Sequence, residues 1–301
     1  MKKIRNIILS LVLCFMALPM NIHAAGYIDM GRDIQLTLQT NYSGIHFDLY
    51  HIGYVSETGE ISVAEGYEDY NVNITGKNDE AWNELALTLE GFVAAEGIQS
   101  EYNGTTGSDG SLYFDSVEKG LYLVTSEIKT QDGKVYETTP SIILLPSLDY
   151  EKNEWMYEVT IEPKFEISDD TSLSLKVMKV WKDTGYEKVR PTSVLVQLYE
   201  DGQLYDQVTL SKENNWQHVW ENCETTHKYT LVEQKIDNYT VSVTKEGVTY
   251  VVTNTYNVPP TPSTDKNIPH TGQYWWPVLA LVVVGLLFIV IGLVRRKSNE
   301  G

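Results

Sequence analysis

Three polar side chains fall where the pattern of the chain calls for apolar ones. Across residues 172–182, Leu173, Leu175, Val177, Lys179 and Trp181 alternate with Ser174, Lys176 and Lys182, the period of a strand with one face in a core. Lys179 therefore points inward with its apolar neighbours. The same period sets Tyr229, Leu231 and Glu233 on one face of a later segment, and Val248, Tyr250, Val252, Asn254 and Tyr256 on one face of the last. An amine, a carboxyl and a carboxamide are costly to bury singly, so they must be partnered or chemically changed. Desolvation favours the uncharged amine and the protonated acid. A neutral Lys179 can then attack the Asn254 carboxamide, polarised by Glu233, and expel ammonia to leave a Lys179–Asn254 amide cross-link. A buried salt bridge of Lys179 with Glu233, with Asn254 hydrogen-bonded beside it, is the other arrangement these residues allow.

Little else in the chain suggests chemistry. Among 301 residues there are two cysteines, Cys14 and Cys223, too few for a disulfide framework or a cysteine metal site. His46 and His51 are isolated, and His218 alternates with Trp216 and Trp220, a packing position rather than a ligand set. The stretch 107–111 has one carboxylate, Asp109, between glycines and lacks the oxygen ligands of a Ca²⁺ loop. No metal or cofactor is expected, and no Ser/His/Asp or paired-carboxylate set points to substrate turnover. The balance of 23 Lys+Arg against 41 Asp+Glu, a net charge of −18, argues against nucleic acid as a partner.

The elements that must position these groups read as strands. Twenty Tyr and 7 Trp beside 6 Phe suit pleated, half-buried surfaces and an all-β fold. We expect two β-sandwich domains in tandem, residues 25–165 and 172–257, joined by a short polar linker at 166–171. In the first, Ile34, Leu36 and Leu38 share one face, as do Tyr157, Val159 and Ile161. It also carries one helical insertion: Trp82, Leu85, Leu89, Phe92 and Val93 recur at three- and four-residue spacing after the capping candidates Asn78 and Asp79. In the second, turn pairs such as Asp201-Gly202 and Asn214-Asn215 separate short strands at the spacing of a sandwich.

The two ends have other duties. Residues 1–24 begin with Lys2, Lys3 and Arg5, continue in an apolar run and end at Ile22-His23-Ala24, the layout of a cleaved signal peptide; an uncleaved anchor is the alternative. Residues 274–294 are apolar enough for a transmembrane helix and are followed by Arg295, Arg296 and Lys297 in a basic cytoplasmic tail, 295–301. Everything between is then outside the cell. A Pro/Thr/Ser-rich stalk at 258–267 leads to Ile268-Pro269-His270-Thr271-Gly272, directly ahead of the span.

The order of pentapeptide, apolar span and basic tip resembles the cell-wall sorting signal (LPxTG type) of Gram-positive surface proteins, with Ile268 where Leu is usual. The resemblance implies cleavage by a sortase between Thr271 and Gly272 and transfer of the Thr271 carbonyl to an amine of the peptidoglycan cross-bridge or of a neighbouring pilin subunit. Contact with the membrane then lasts only until sorting. Around the three buried groups, Lys179-Val180-Trp181, Arg190-Pro191, Asn215-Trp216, Trp220-Glu221-Asn222, Tyr229 to Glu233 and Thr253-Asn254-Thr255-Tyr256 resemble a collagen-adhesin B-type (Cna B) domain. That family is implied to form the Lys–Asn isopeptide bond autocatalytically, with Glu233 in the catalytic role. Departures are a shortened loop, 183–190, and Cys223 where an apolar residue is common. Residues 155–164, ending in Glu162-Pro163-Lys164, are similar to the pilin motif of sortase-assembled pili, which makes Lys164 an acceptor candidate. An exposed lysine at a domain boundary is the plainer reading. The resemblances together imply a wall-attached structural protein: a basal or ancillary pilin, a polymerising pilin through Lys164, or a monomeric adhesin for a host or matrix protein.

Overall fold

In the computed structural model, residues 26–257 are described apart from 68, 69, 71, 73 and 75–77. The signal segment, the stalk, Ile268 to Gly272 and the apolar span 274–294 lie outside the described residues. Among those described, no helix is long and apolar enough to cross a membrane.

The first region runs β1 (Ile34–Gln39), β2 (His46–Val55), β3 (Ile61–Val63), helix α1 (Asp79–Glu96), β4 (Tyr102–Thr105), β5 (Ser111–Val117) and β6 (Gly120–Ser126). It continues with β7 (Lys129–Gln131), β8 (Lys134–Thr138), β9 (Ser141–Leu145), β10 (Ser147–Asp149), β11 (Glu154–Met156), β12 (Glu158–Ile161) and β13 (Phe165–Asp169). The second runs β14 (Ser172–Lys182), β15 (Ser193–Glu200), β16 (Gln203–Ser211), a 3₁₀ turn (Lys212–Asn214), β17 (Gln217–Glu224), β18 (Tyr229–Glu233), β19 (Tyr239–Glu246) and β20 (Thr249–Tyr256).

The first sandwich packs the sheet β12-β1-β5 against β3-β2-β6-β9, with β4 also paired to β2. Ile34, Leu36, Leu38, Phe47, Leu49 and Tyr122 fill the space between them. All seven residues of β6 are buried, because the second face of its sheet lies under α1, whose Leu85, Leu89 and Val93 meet Ile52, Leu121 and Leu123. The Asn78 side chain accepts the Ala81 N–H at 3.0 Å and Gly97 ends the helix with φ 62°, a left-handed cap. The expected helix is present with its expected N-cap.

The second sandwich sets β17-β14-β20-β19 against β16-β15-β18. Its core holds Leu175, Val177, Val196, Leu198, Leu210, Leu231 and Val252. The first strand of each region has a parallel partner late in that region, β12 beside β1 (Leu36 beside Val159) and β20 beside β14 (Lys179 beside Val252). The segment read as a linker differs from expectation: β13 spans most of it and pairs antiparallel with β8, Glu166 opposite Glu137. Its backbone groups are satisfied by a ladder, which polar composition alone does not reveal.

The helical insertion also reaches beyond its own region. α1 packs on β18 and β19, the Val243 N–H donates to Thr88 Oγ1 at 2.8 Å, and Lys228 Nζ meets Glu90 Oε1 at 2.6 Å. Gly91 allows close approach there, since a Cβ would lie 2.5 Å from the Leu231 carbonyl oxygen. This contact explains why β18 is buried on both faces although it is an edge strand.

Candidate functional site

Lys179 and Asn254 come from the neighbouring parallel strands β14 and β20, with Trp181 opposite Asn254 in the register. Glu233 ends β18 in the facing sheet, so the cluster bridges the two layers of the sandwich. Period 2 alone aims all three inward, and all three are buried, Asn254 to 1% exposure. Lys179 Nζ lies 3.4 Å from Glu233 Oε2, and the Asn254 amide donates to Glu233 Oε1 at 2.5 Å. Lys179 Nζ also donates to the carbonyls of Val180 and Val252, each at 3.2 Å, and sits 4.4 Å from the centre of the Trp181 ring. Asn254 Oδ1 is buried without a hydrogen-bond partner among the described residues.

Burial shifts both ionisable groups toward their neutral forms. Burial lowers the Lys179 pKa to about 8, against the opposing pull of the Glu233 carboxylate. Burial also raises that of Glu233, opposed by Lys179 and by the Asn254 hydrogen bond. In low dielectric, two separated charges cost more than an amine beside a carboxylic acid unless their geometry is excellent. The 3.4 Å separation is an ion contact without the alignment of a hydrogen bond, so the geometry does not favour a fully charged pair.

Further groups belong to this site that strand periodicity does not single out. Arg190 makes a two-pronged contact with Asp183, Nε to Oδ2 at 2.8 Å and Nη2 to Oδ1 at 2.5 Å, and the Tyr239 hydroxyl donates to Asp183 at 3.1 Å. The guanidinium lies 5.1 Å from the same Trp181 ring that holds Lys179. Trp216 and Tyr239 pack edge-on to Trp181, at 5.4 and 5.3 Å. The available signal is an opposite-charge pair seven residues apart in a loop that follows Trp181. A cavity of about 430 Å³ reaches Glu233 and Asn254, lined also by Phe92 of α1 and by Tyr199, Tyr239 and Val241.

The remaining candidates lie elsewhere. Lys164 is exposed between β12 and β13, its carbonyl accepting the Thr139 N–H at 3.0 Å. It is far from the cluster in topology and belongs to the other region. Ile268, Pro269, His270, Thr271 and Gly272 lie outside the described residues. Cys223 is buried in the second core, and burial raises its thiol pKa. Among the described residues no group of three His, Cys, Asp or Glu is placed to hold a metal ion.

The described chain is thus a mostly β protein of two β-sandwiches, the second carrying a buried lysine–glutamate–asparagine cluster. Residues 175–255 match the Cna protein B-type domain, which covers all three members of that cluster. The collagen adhesin of Staphylococcus aureus is 26% identical over 267 aligned residues, covering 70% of this chain and 23% of its own length. The chain therefore spans about a quarter of that relative. Among solved structures, a single B repeat unit of the same S. aureus protein is similar at 16% identity, covering 75% of this chain and 99% of that one, with a TM-score of 0.25. The full-length major pilin SpaD of Corynebacterium diphtheriae is similar at 15% identity over 76% of this chain and 65% of its own, with a TM-score of 0.29. The minor pilin of Streptococcus agalactiae gives 17% identity, 76% and 98% coverage, and a TM-score of 0.24.

Proposed function

We propose that this chain is an exported structural protein of the cell surface, a basal or ancillary pilin subunit attached to the wall by a sortase through Thr271 and stabilised by a Lys179–Asn254 isopeptide bond. The observation that carries the reading is the contact of Lys179, Glu233 and Asn254 inside a domain of Cna B type. The neutral Lys179 amine attacks Asn254 Cγ and the new N–C bond forms. Glu233 donates its proton toward the amide oxygen and relays a proton from the attacking amine to Nδ2. The Cγ–Nδ2 bond then breaks and ammonia leaves by the cavity beside Glu233. Exchanging N and O of the Asn254 side chain, with a proton on Glu233, turns the 2.5 Å contact into the O–H···O bond that this polarisation requires. Turnover ends with the one bond, so the protein is a substrate of sortase rather than an enzyme. At the wall, the Thr271 carbonyl passes to an amine of the peptidoglycan cross-bridge or of a neighbouring subunit.

Two observations favour related readings. The exposure of Lys164 at the end of β12 suits an acceptor amine and hence a polymerising subunit. The match to a collagen adhesin favours a monomeric wall-anchored adhesin that binds a host or matrix protein. Intact mass tests the cross-link: the full chain should be lighter than its sequence, after any leader removal, by one ammonia, and Glu233→Ala or Lys179→Ala should restore the missing mass. A wild-type chain at full mass refutes the bond. Attachment is tested in cell-wall extracts, where Thr271→Ala should release the protein from the wall fraction.

A further inference from the structure

The loop 183–190 joins β14 to the strand beside Glu233, and its arrangement is more elaborate than closing a sandwich requires. Asp183 is a buried carboxylate, its side chain 2% exposed, and it spends both oxygens on Arg190 while also accepting from Tyr239. Tyr186 stacks on Tyr256 at 4.4 Å, pinning the middle of the loop to β20 two residues beyond Asn254. The result fixes Arg190 over one aromatic ring whose other cation is the Lys179 amine, at 5.1 and 4.4 Å from the ring centre. Guanidinium is charged at any pH the protein meets. The ring attracts either cation, but two cations held beside one ring repel each other, and only the amine can shed its charge.

We infer that Arg190, clamped by Asp183 against Trp181, is a positioning residue that holds a fixed positive charge beside the Lys179 amine and so favours its neutral, nucleophilic form. The inference rests on the isopeptide reading above. The groups acting on Lys179 are Glu233 from β18, which favours the ammonium, and Arg190 and Asp183 from the loop, which oppose one another. Of these two, Arg190 has the larger effect. On β17, His218 lies opposite Val177, two residues along the strand from Lys179. Glu187 and Lys188 are on the loop itself and exposed. Beyond its ion pair with Asp183, Arg190 is thus held against the same ring that the Lys179 amine contacts.

The test follows cross-linking in time. The full chain is synthesised in a cell-free reaction with detergent, shifted to buffers between mildly acidic and mildly alkaline pH, and sampled for the fraction lacking one ammonia. Wild type should react faster as pH rises and level off above the Lys179 titration. Arg190→Met should move that midpoint up by about half a pH unit, a roughly threefold slower reaction at neutral pH that alkaline pH recovers. Arg190→Gln, which retains a hydrogen bond to Asp183, should behave alike and serves if the Met variant does not fold. Arg190→Lys should keep the wild-type midpoint. The inference is overturned if the Met and Gln variants keep the wild-type midpoint, or if Arg190→Lys shifts as far as they do, which would mark a packing role. A wild-type chain that never loses ammonia overturns the isopeptide reading itself, a result separate from either of these.

Discussion

At the scale of single residues, the protein concentrates its chemistry in one buried contact. Lys179, Glu233 and Asn254 sit in a core that would be better packed with apolar side chains, and burial alone costs more than an unaligned ion contact returns. The proposed cross-link would remove that conflict by turning two polar groups into an amide. It would close a loop between residues 179 and 254, for which chain entropy gives about 4–5 kcal/mol. Asn254→Ala should therefore lower the melting temperature by roughly 10 °C or more in a thermal scan. That variant also keeps an unreacted lysine whose folded pKa lies below its ordinary 10.5, at about 8. The folded state then binds fewer protons than the unfolded between these values, so stability should rise with pH from about 8 to 10.5 relative to wild type. Urea midpoints across that window decide it, and parallel curves for the two proteins would mean that wild type also keeps a free amine. The Asp183 pKa is lowered, first by the Arg190 hydrogen bond, so its stabilisation is present above the usual carboxylate range and is lost on acidification below about pH 4.

At the scale of elements, α1 is the part whose role goes furthest beyond its pattern. Three- and four-residue spacing marks Leu85, Leu89 and Val93 as a buried stripe, and these do cover the first sandwich. Thr88, Glu90 and Gly91 carry no such mark, yet they bring the helix against β18 and β19. Gly91→Ala sets two effects against each other. Alanine gains up to about 1 kcal/mol in helix propensity, while a methyl 2.5 Å from the Leu231 carbonyl forces a backbone shift worth about 1–3 kcal/mol. The clash wins, so this normally stabilising substitution should lower the urea midpoint. Asn78→Ala, at the exposed N-cap, should cost about 1 kcal/mol. If Gly91→Ala stabilises the chain, the helix does not dock on β18 in solution.

At the scale of the whole molecule, the consequence of the proposed cross-link is mechanical. The parallel strands β14 and β20, if tied by an amide, could not be peeled away one after the other. Pulled from its ends in a single-molecule experiment, the wild-type chain should release about 260 Å less contour length than Lys179→Ala, the length of the 75-residue interval between Lys179 and Asn254. Equal lengths would show that the interval is not closed. Polymerisation belongs to this scale too. If Lys164 accepts a neighbour, wall extracts should show a ladder of high-mass species that Lys164→Ala removes and Lys134→Ala, at an exposed ion pair with Asp169, leaves intact. A single band in wild type would leave the subunit a monomer.

The amino-acid sequence by itself determined much of this, because the relevant signals are local. Side chains alternate at period 2 in any strand, so the inward aim of Lys179, Glu233 and Asn254 was legible without knowing which strands pair. The same holds for the N-cap at Asn78 and the helical stripe that follows. Only the tertiary structure decided which inward groups meet. It set β14 beside β20 and brought β18 across from them, a matter of long-range pairing that no local period encodes. It also turned the polar segment 166–171 largely into the strand β13, placed Arg190 over Trp181, and buried the outer face of β18 beneath α1. Each of these depends on a surface supplied by a distant part of the chain, and a residue's own neighbours carry no record of that surface.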